Sequence, residues 1–147
     1  MKDEKIEDQA SDFLMQMLEF YHDKLLKVEK VGLTGIHQAQ LRLMFHLYTV
    51  RMLSMSTLGK KLYISKPYMT TLVDSLIKEG LVERHPDPYD RRVININITE
   101  KGQEKIESIK IQMRDQMKNL LSNLQESDLI TLCSCGEKLI GVVSKIQ

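Results

Sequence analysis

The chain has 147 residues, 42% of them hydrophobic and 28% charged, with a net charge of +1. A chain of this length suggests one domain that buries roughly 68–70% of its unfolded surface, and two cysteines are too few for a disulfide framework. No apolar run reaches the ~18 residues of a membrane span and the acidic N-terminus is no secretory signal, so a cytoplasmic protein is expected.

Charge is unevenly spread. Acidic residues outnumber basic ones seven to two in 1–23, whereas 24–92 carry twelve basic and six acidic residues. Local charge, not the total, sets attraction to phosphate, so the middle of the chain is where a nucleic acid would bind.

Residues 1–10 are polar and expected to fray. From about Ala10 to Lys30, Phe13, Met17, Phe20 and Tyr21 recur at helical spacing, and Gly32 ends the pattern. Thr34 is the expected cap of a second helix, with Leu33 as its staple. Leu41, Leu43, Met44, Phe45 and Leu47 make that helix apolar nearly all round, hence central; His37, Arg42 and His46 are its polar exceptions. Ser56 or Thr57 caps a third, short helix that ends near Tyr63. Ile64 and Ser65 turn the chain, Ser65 caps a fourth helix, and Pro67 falls in its first turn. Met69, Leu72, Val73 and Leu76 face its core side and Gly80 stops it.

Two helices joined by about three residues, the second amphipathic, form a helix-turn-helix pattern. Its outer face carries Lys66, Tyr68, Thr70, Thr71 and Asp74, residue types that reach base edges or phosphates in a major groove. The same spacing also fits an ordinary pair of packed helices. Leu81–His85 then reads as a strand and Pro86–Asp90 as a turn-rich loop. Arg92–Ile98 alternates, with Ile94, Ile96 and Ile98 on one face. A hairpin here is a wing. Arg91 and Arg92 at its tip suit a minor groove, and Asp90 is placed to orient one of them. A solvated charged loop is the plainer alternative.

Thr99 caps a long helix of near 25 residues, marked by Ile106, Ile109, Met113, Met117, Leu120 and Leu124. Ser127 is the expected cap of the last helix, whose stripe is Leu129, Leu132, Cys133, Gly136, Ile140 and Val143. Apolar stripes at both chain ends suggest a surface covered by a second copy.

These residues resemble the MarR family of winged-helix transcriptional regulators. The resemblance runs from Leu33 to Gly102. It is most specific in Asp90-Arg91-Arg92, six residues, Thr99, two residues, Gly102. SKPYMTTLVDSLIKEGLVER matches the recognition helix and first wing strand. The resemblance implies a mainly α (α+β) fold. Residues 33–102 would be a winged helix-turn-helix reader, and 1–32 and 103–147 dimerisation helices, in one MarR-like domain. It implies a homodimer on a near-palindromic double-stranded operator, acting as a repressor relieved by a small-molecule effector, with no enzymatic activity and no cofactor.

The DNA-binding residues would be Lys60, Ser65, Lys66, Pro67, Tyr68, Thr70, Thr71, Arg91 and Arg92, with Asp90 orienting the wing. The chain departs from the family pattern at Thr71, often an arginine, at Tyr63, often a glycine, and at Gly59, usually an alanine.

Two alternatives stay open. One is a thiol-based redox-responsive regulator. Cys133 and Cys135 point about 200° apart on a helix, Cys133 on the apolar stripe, where a buried and inert cysteine is expected, and Cys135 off it and accessible. The family's peroxide sensors use a first-helix cysteine, absent here. The other is a winged-helix protein-interaction module without DNA binding, against which the basic wing argues. The four histidines show no metal-ligand spacing. Met17, Tyr21, His37, Arg42, Met44 and Met113 could line an effector pocket.

Overall fold

Leucine and methionine at helical spacing build the centre of the reader. In the computed structural model, which describes residues 4–25 and 36–146, helix α2 (Gln38–Val50) buries Leu41, Leu43, Met44 and Leu47. Its polar exceptions His37, Arg42 and His46 are exposed. Leu33 and Thr34 lie outside the described residues. The described helix begins at Gln38, with His37 in the capping position. Gln40 is buried yet satisfied: its side chain accepts from the His37 N–H (2.8 Å) and donates to the Ser75 hydroxyl (2.8 Å). This is a polar tie inside an apolar core, and it links α2 to the helix that carries Ser75.

Before it, helix α1 (Glu4–Phe20) starts about six residues earlier than the polar composition suggests, with Glu4 and Glu7 favourably placed in its first turn. A five-residue π turn, Tyr21–Leu25, follows it. α1 buries no side chain; Ile6, Phe13, Leu14, Met15, Leu18 and Phe20 are exposed.

Strand β1 (Met52–Ser54) was not expected. It pairs antiparallel with β3 (Ile94–Ile98), which also pairs with β2 (Val82–Pro86), so the wing is a three-stranded sheet of order β1-β3-β2 rather than a hairpin alone. Leu53 stands opposite Ile96, and Ile96 opposite Arg84. Three residues are too few to show alternation. Proline closes edge strand β2 at its last position, where a missing N–H costs little.

Helix α3 (Met55–Leu62) is capped by Ser54, whose hydroxyl accepts from the Thr57 N–H (3.2 Å); the expected caps Ser56 and Thr57 lie inside the helix. Helix α4 (Lys66–Lys78) buries Met69, Leu72, Val73 and Leu76, as its spacing requires. Ser65 has the extended cap conformation, but its side chain makes no cap bond. Gly80, at φ 71, ends it.

Helix α5 (Glu100–Leu121) has 22 residues. Thr99 caps it, accepting from the Gly102 N–H (3.0 Å) while donating to the Gly80 carbonyl (2.7 Å). Gly102 packs so closely that a Cβ there would run into the Leu81 carbonyl oxygen and Ile98. Helix α6 (Glu126–Val143) is preceded by Gln125, not Ser127, as its cap residue. The residues divide into two compact units, Met1–Gln112 and Met113–Gln147. α6 buries no residue: Leu132, Ile140, Val142 and Val143 are exposed. Cys133, expected to be buried on its stripe, is exposed with Cys135. Periodicity identified an apolar face, and its residues are exposed.

Among the described residues, two non-glycine residues take positive φ, Arg51 (68°) and Tyr63 (55°). Each costs about 1 kcal/mol or more relative to glycine. Arg51→Gly should therefore raise the urea midpoint, by about 1 kcal/mol of stability, and Gly102→Ala should lower it by about 2 kcal/mol through overpacking. An unchanged midpoint for Gly102→Ala would contradict the close approach to Leu81.

Candidate nucleic-acid interface

The turn between α3 and α4 sets the geometry of the reader. The Ile64 N–H donates to the Gly59 carbonyl (2.9 Å) and the Tyr63 N–H to the Lys60 carbonyl (3.3 Å), with Tyr63 left-handed between them. This paired closure reverses the chain in three residues and presents the N-terminus of α4, its positive dipole end, at the surface. Lys66, Pro67, Tyr68, Thr70 and Thr71 follow there, all exposed, as are Lys60 and Ser65.

The two threonines are already engaged. Thr70 donates to the Lys66 carbonyl (3.2 Å) and Thr71 to the Pro67 carbonyl (3.3 Å). With its proton held by the helix, each hydroxyl offers lone pairs, suited to the amino groups of adenine or cytosine. Asp74 does not face a ligand alone. It pairs with Arg84 of β2 (2.8 Å) and so joins the recognition helix to the wing.

The wing tip is built by two carboxylates. Asp87 accepts from the Tyr89 N–H (2.9 Å), the Asp90 N–H (3.1 Å) and the Asn95 side chain (3.0 Å), and its own N–H donates to the Val93 carbonyl (2.9 Å). Asp90 accepts from Arg92 three times, at the backbone N–H (3.0 Å), Nε (3.1 Å) and a terminal nitrogen (3.1 Å). Arg92 is thus held by a fork while remaining 90% exposed, and Arg91 is exposed without such a tether. Sequence reasoning missed Asp87. The signal was its place in Asp-Pro-Tyr-Asp, where an aspartate commonly folds back on the next two amides.

A cleft of about 830 Å³ brings together Lys60 of α3, Lys66 and Thr70 of α4, and Arg92 of the wing. Met55, Ile64, Met69 and Val93 supply apolar lining, and no acidic residue borders it. Ser65, Pro67, Tyr68, Thr71 and Arg91 lie outside this lining. Of the residues considered for an effector pocket, Met44 is fully buried in the core, and His37 and Arg42 are exposed on α2. Among the described residues no group of His, Cys, Asp and Glu is placed to hold a metal, and no helix is long and apolar enough to cross a membrane.

The MarR family model matches residues 36–94. An HTH-type transcriptional regulator of Bacillus subtilis, YdgJ, is 33% identical over 125 residues, covering 85% of this chain and 76% of that protein. The chain belongs to the MarR family. The same organism's HTH-type transcriptional repressor MdtR is 27% identical over 112 residues, covering 76% of this chain and 72% of its own length. The structure of wild-type MarR from E. coli, in its apo form, superposes with a TM-score of 0.72 at 25% identity, covering 88% of this chain and 95% of that one. This MarR-family member is accordingly a winged helix-turn-helix, DNA-binding transcriptional regulator. MarR-family regulators bind DNA as dimers, and its relatives are regulators rather than enzymes.

Wing order in this family member should depend on pH with a definite sign. Asp87 is held below the usual carboxylate range first by the Tyr89 N–H, then by Asn95 and the Asp90 N–H; Asp90 is held below it by the Arg92 guanidinium. Both groups bind protons less readily folded than unfolded. Their contribution is full above the unfolded value and is lost as pH falls through the folded one. Hydrogen exchange at the Tyr89 and Asp90 amides should stay protected from neutral pH down through the ordinary carboxylate range and lose protection only below it. In Asp87→Ala the same amides should be unprotected throughout. Equal protection in that variant would refute the aspartate's role.

Proposed function

We propose that this regulator reads a near-palindromic duplex as a homodimer. Each α4 enters a major groove through Lys66, Tyr68, Thr70 and Thr71, and each wing places Arg92, aimed by Asp90, along the adjoining minor groove. Lys60, Ser65, Pro67 and Arg91 contact the phosphates around them. The observation that carries this reading is the cleft in which Lys60, Lys66 and Arg92 converge, its lining free of acidic residues and Arg92 held at its edge by Asp90. Three cations around one concavity, beside an exposed helix N-terminus, fit a phosphate backbone passing between two grooves.

The homodimer is supported by the apolar residues left uncovered on α1 and α6. Phe13, Leu14, Leu18 and Phe20 lie on the first, and Leu132, Ile140 and Val142 on the second. Apolar faces of this kind on helices flanking a reader suit a second copy, with residues 1–32 and 103–147 as the dimerisation helices. Repression, as in the name of the relative MdtR, is the expected outcome, with a small-molecule effector as the releasing signal and the cytoplasm as the place of action. Cys135 is exposed, which keeps thiol-based release as a second reading.

Selection of duplexes from a random pool tests the proposal directly. Bound sequences should share two half-sites related by a dyad; recovery of single, asymmetric sites would reject the dimeric mode. Arg92→Ala should weaken binding to the selected duplex and reduce the salt slope by about 1.8, because the homodimer loses one cation per protomer and each accounts for roughly 0.9 on B-DNA. A wild-type slope with wild-type affinity would remove the wing from the interface.

A further inference from the structure

Tyr63 closes the turn between α3 and α4 in the left-handed conformation, at φ 55 and ψ 43. The paired turn bonds around it favour glycine at this position, because a Cβ there is crowded by its own backbone. A tyrosine kept at such a place usually has packing to gain. This one has none: it is 95% exposed, and among the described residues its hydroxyl has no hydrogen-bond partner. What it does border is the cleft lined by Lys60, Lys66, Thr70 and Arg92.

We propose that Tyr63 is a DNA-backbone contact of this chain: its hydroxyl donates to a phosphate oxygen and its ring packs against the adjoining sugar. The inference rests on the DNA-reading function above and adds a residue that the helix-turn-helix pattern does not include. A phenol supplies one donor and no charge, and phosphate supplies acceptors without sequence information. Lys60, Lys66 and Arg92 outnumber the one carboxylate beside them, Asp90, which lies outside the cleft lining, and this excess of positive charge chooses a polyanion over a protein surface as the occupant. Backbone strain at an exposed position is then the cost of holding an aromatic donor rigidly at the phosphate path.

The full chain and its Tyr63→Phe and Tyr63→Gly variants are titrated with two fluorescent duplexes. One is selected from a random pool; the other is a scrambled duplex of equal length and composition. Both variants should lose roughly ten- to hundred-fold in affinity, equally on the two duplexes, because each protomer of the dimer loses an uncharged hydrogen bond to phosphate worth about three- to ten-fold. The salt slope should stay at the wild-type value, since no cation is removed. Tyr63→Gly should at the same time raise the thermal midpoint, separating the loss of contact from any loss of fold. Wild-type affinity in both variants overturns the inference. So does a loss confined to the selected duplex, which would make Tyr63 a base reader, and so does a lowered midpoint for Tyr63→Gly. Arg92→Ala serves as the reference. If it weakens binding while the Tyr63 variants do not, DNA reading stands and the Tyr63 contact falls. If the wild-type chain binds neither duplex, both fall.

Discussion

The crossing of the chain at Gly80–Leu81 and Thr99–Gly102 holds the reader together. Four interactions meet there. Thr99 donates to the Gly80 carbonyl, the Thr99 N–H donates to the Leu81 carbonyl (3.1 Å), Lys101 reaches the Glu79 carbonyl (2.7 Å), and Gly102 lies against Leu81. One short segment therefore terminates α4, starts β2, ends β3 and begins α5. Any side chain at Gly102 would push α5 off Leu81, and the recognition helix would lose its fixed angle to the wing. The Thr-x-x-Gly spacing that carried the family resemblance is thus a packing requirement: a hydroxyl to cap one helix end and satisfy another, and a residue without a Cβ where two backbones touch.

The wing follows a different logic. Its two arginines would repel one another and wander in solvent if they stood alone. Asp87 folds the loop by collecting amides, and Asp90 grips Arg92 from both backbone and side chain. An acid beside a cation lowers the net charge that a phosphate sees. It also removes much of the rotamer freedom that an exposed arginine would lose on binding. With a net charge of only +1 on the chain, placement of the few central cations matters more than their number.

Much of this was legible in the residues, and the misses have identifiable causes. The stripes of α2 and α4 were visible because core burial imposes their period, and Leu72, Val73 and Leu76 are buried where that period puts them. Of the α5 stripe only Ile106 and Ile109 are buried, while Leu120 and Leu124 are exposed and Leu124 lies past the helix end at Leu121. β1 was invisible because it is three residues long and its order comes from its partner β3. Ser54 lost out to Ser56 and Thr57 as the expected cap because several hydroxyls within four residues all qualify by type, and only the strand ending at Ser54 chooses among them. Cys133 was assigned to the interior by its stripe. A stripe reports that a face is apolar, not that it is buried, and Cys133 on α6 is exposed. In the candidate site, the exposed positions along α4 could be read from the face opposite the core. The convergence of Lys60, Lys66 and Arg92 could not, because it depends on the sheet bringing the wing beside α3.

The two positive-φ residues say how the reader is stabilised. Arg51 precedes β1 and Tyr63 ends α3, so the segment between them is entered and left through conformations that its residues disfavour. That segment also carries Gly59, one of the poorest helix formers, within an eight-residue helix too short to persist alone. Local preference therefore does not make α3. It is made by burial of Leu58 and Leu62, by pairing of β1 with β3, and by the cap at Ser54. Local rules are otherwise well obeyed in the reader, at Gly80, Thr99 and Gly102. They are broken at the turn that delivers the recognition helix to its surface, where the side chain that breaks them stands in solvent beside the cationic cleft. A departure from local preference that gains nothing inside the fold is accounted for by the proposed phosphate contact, and the cations around Tyr63 suit an anionic partner.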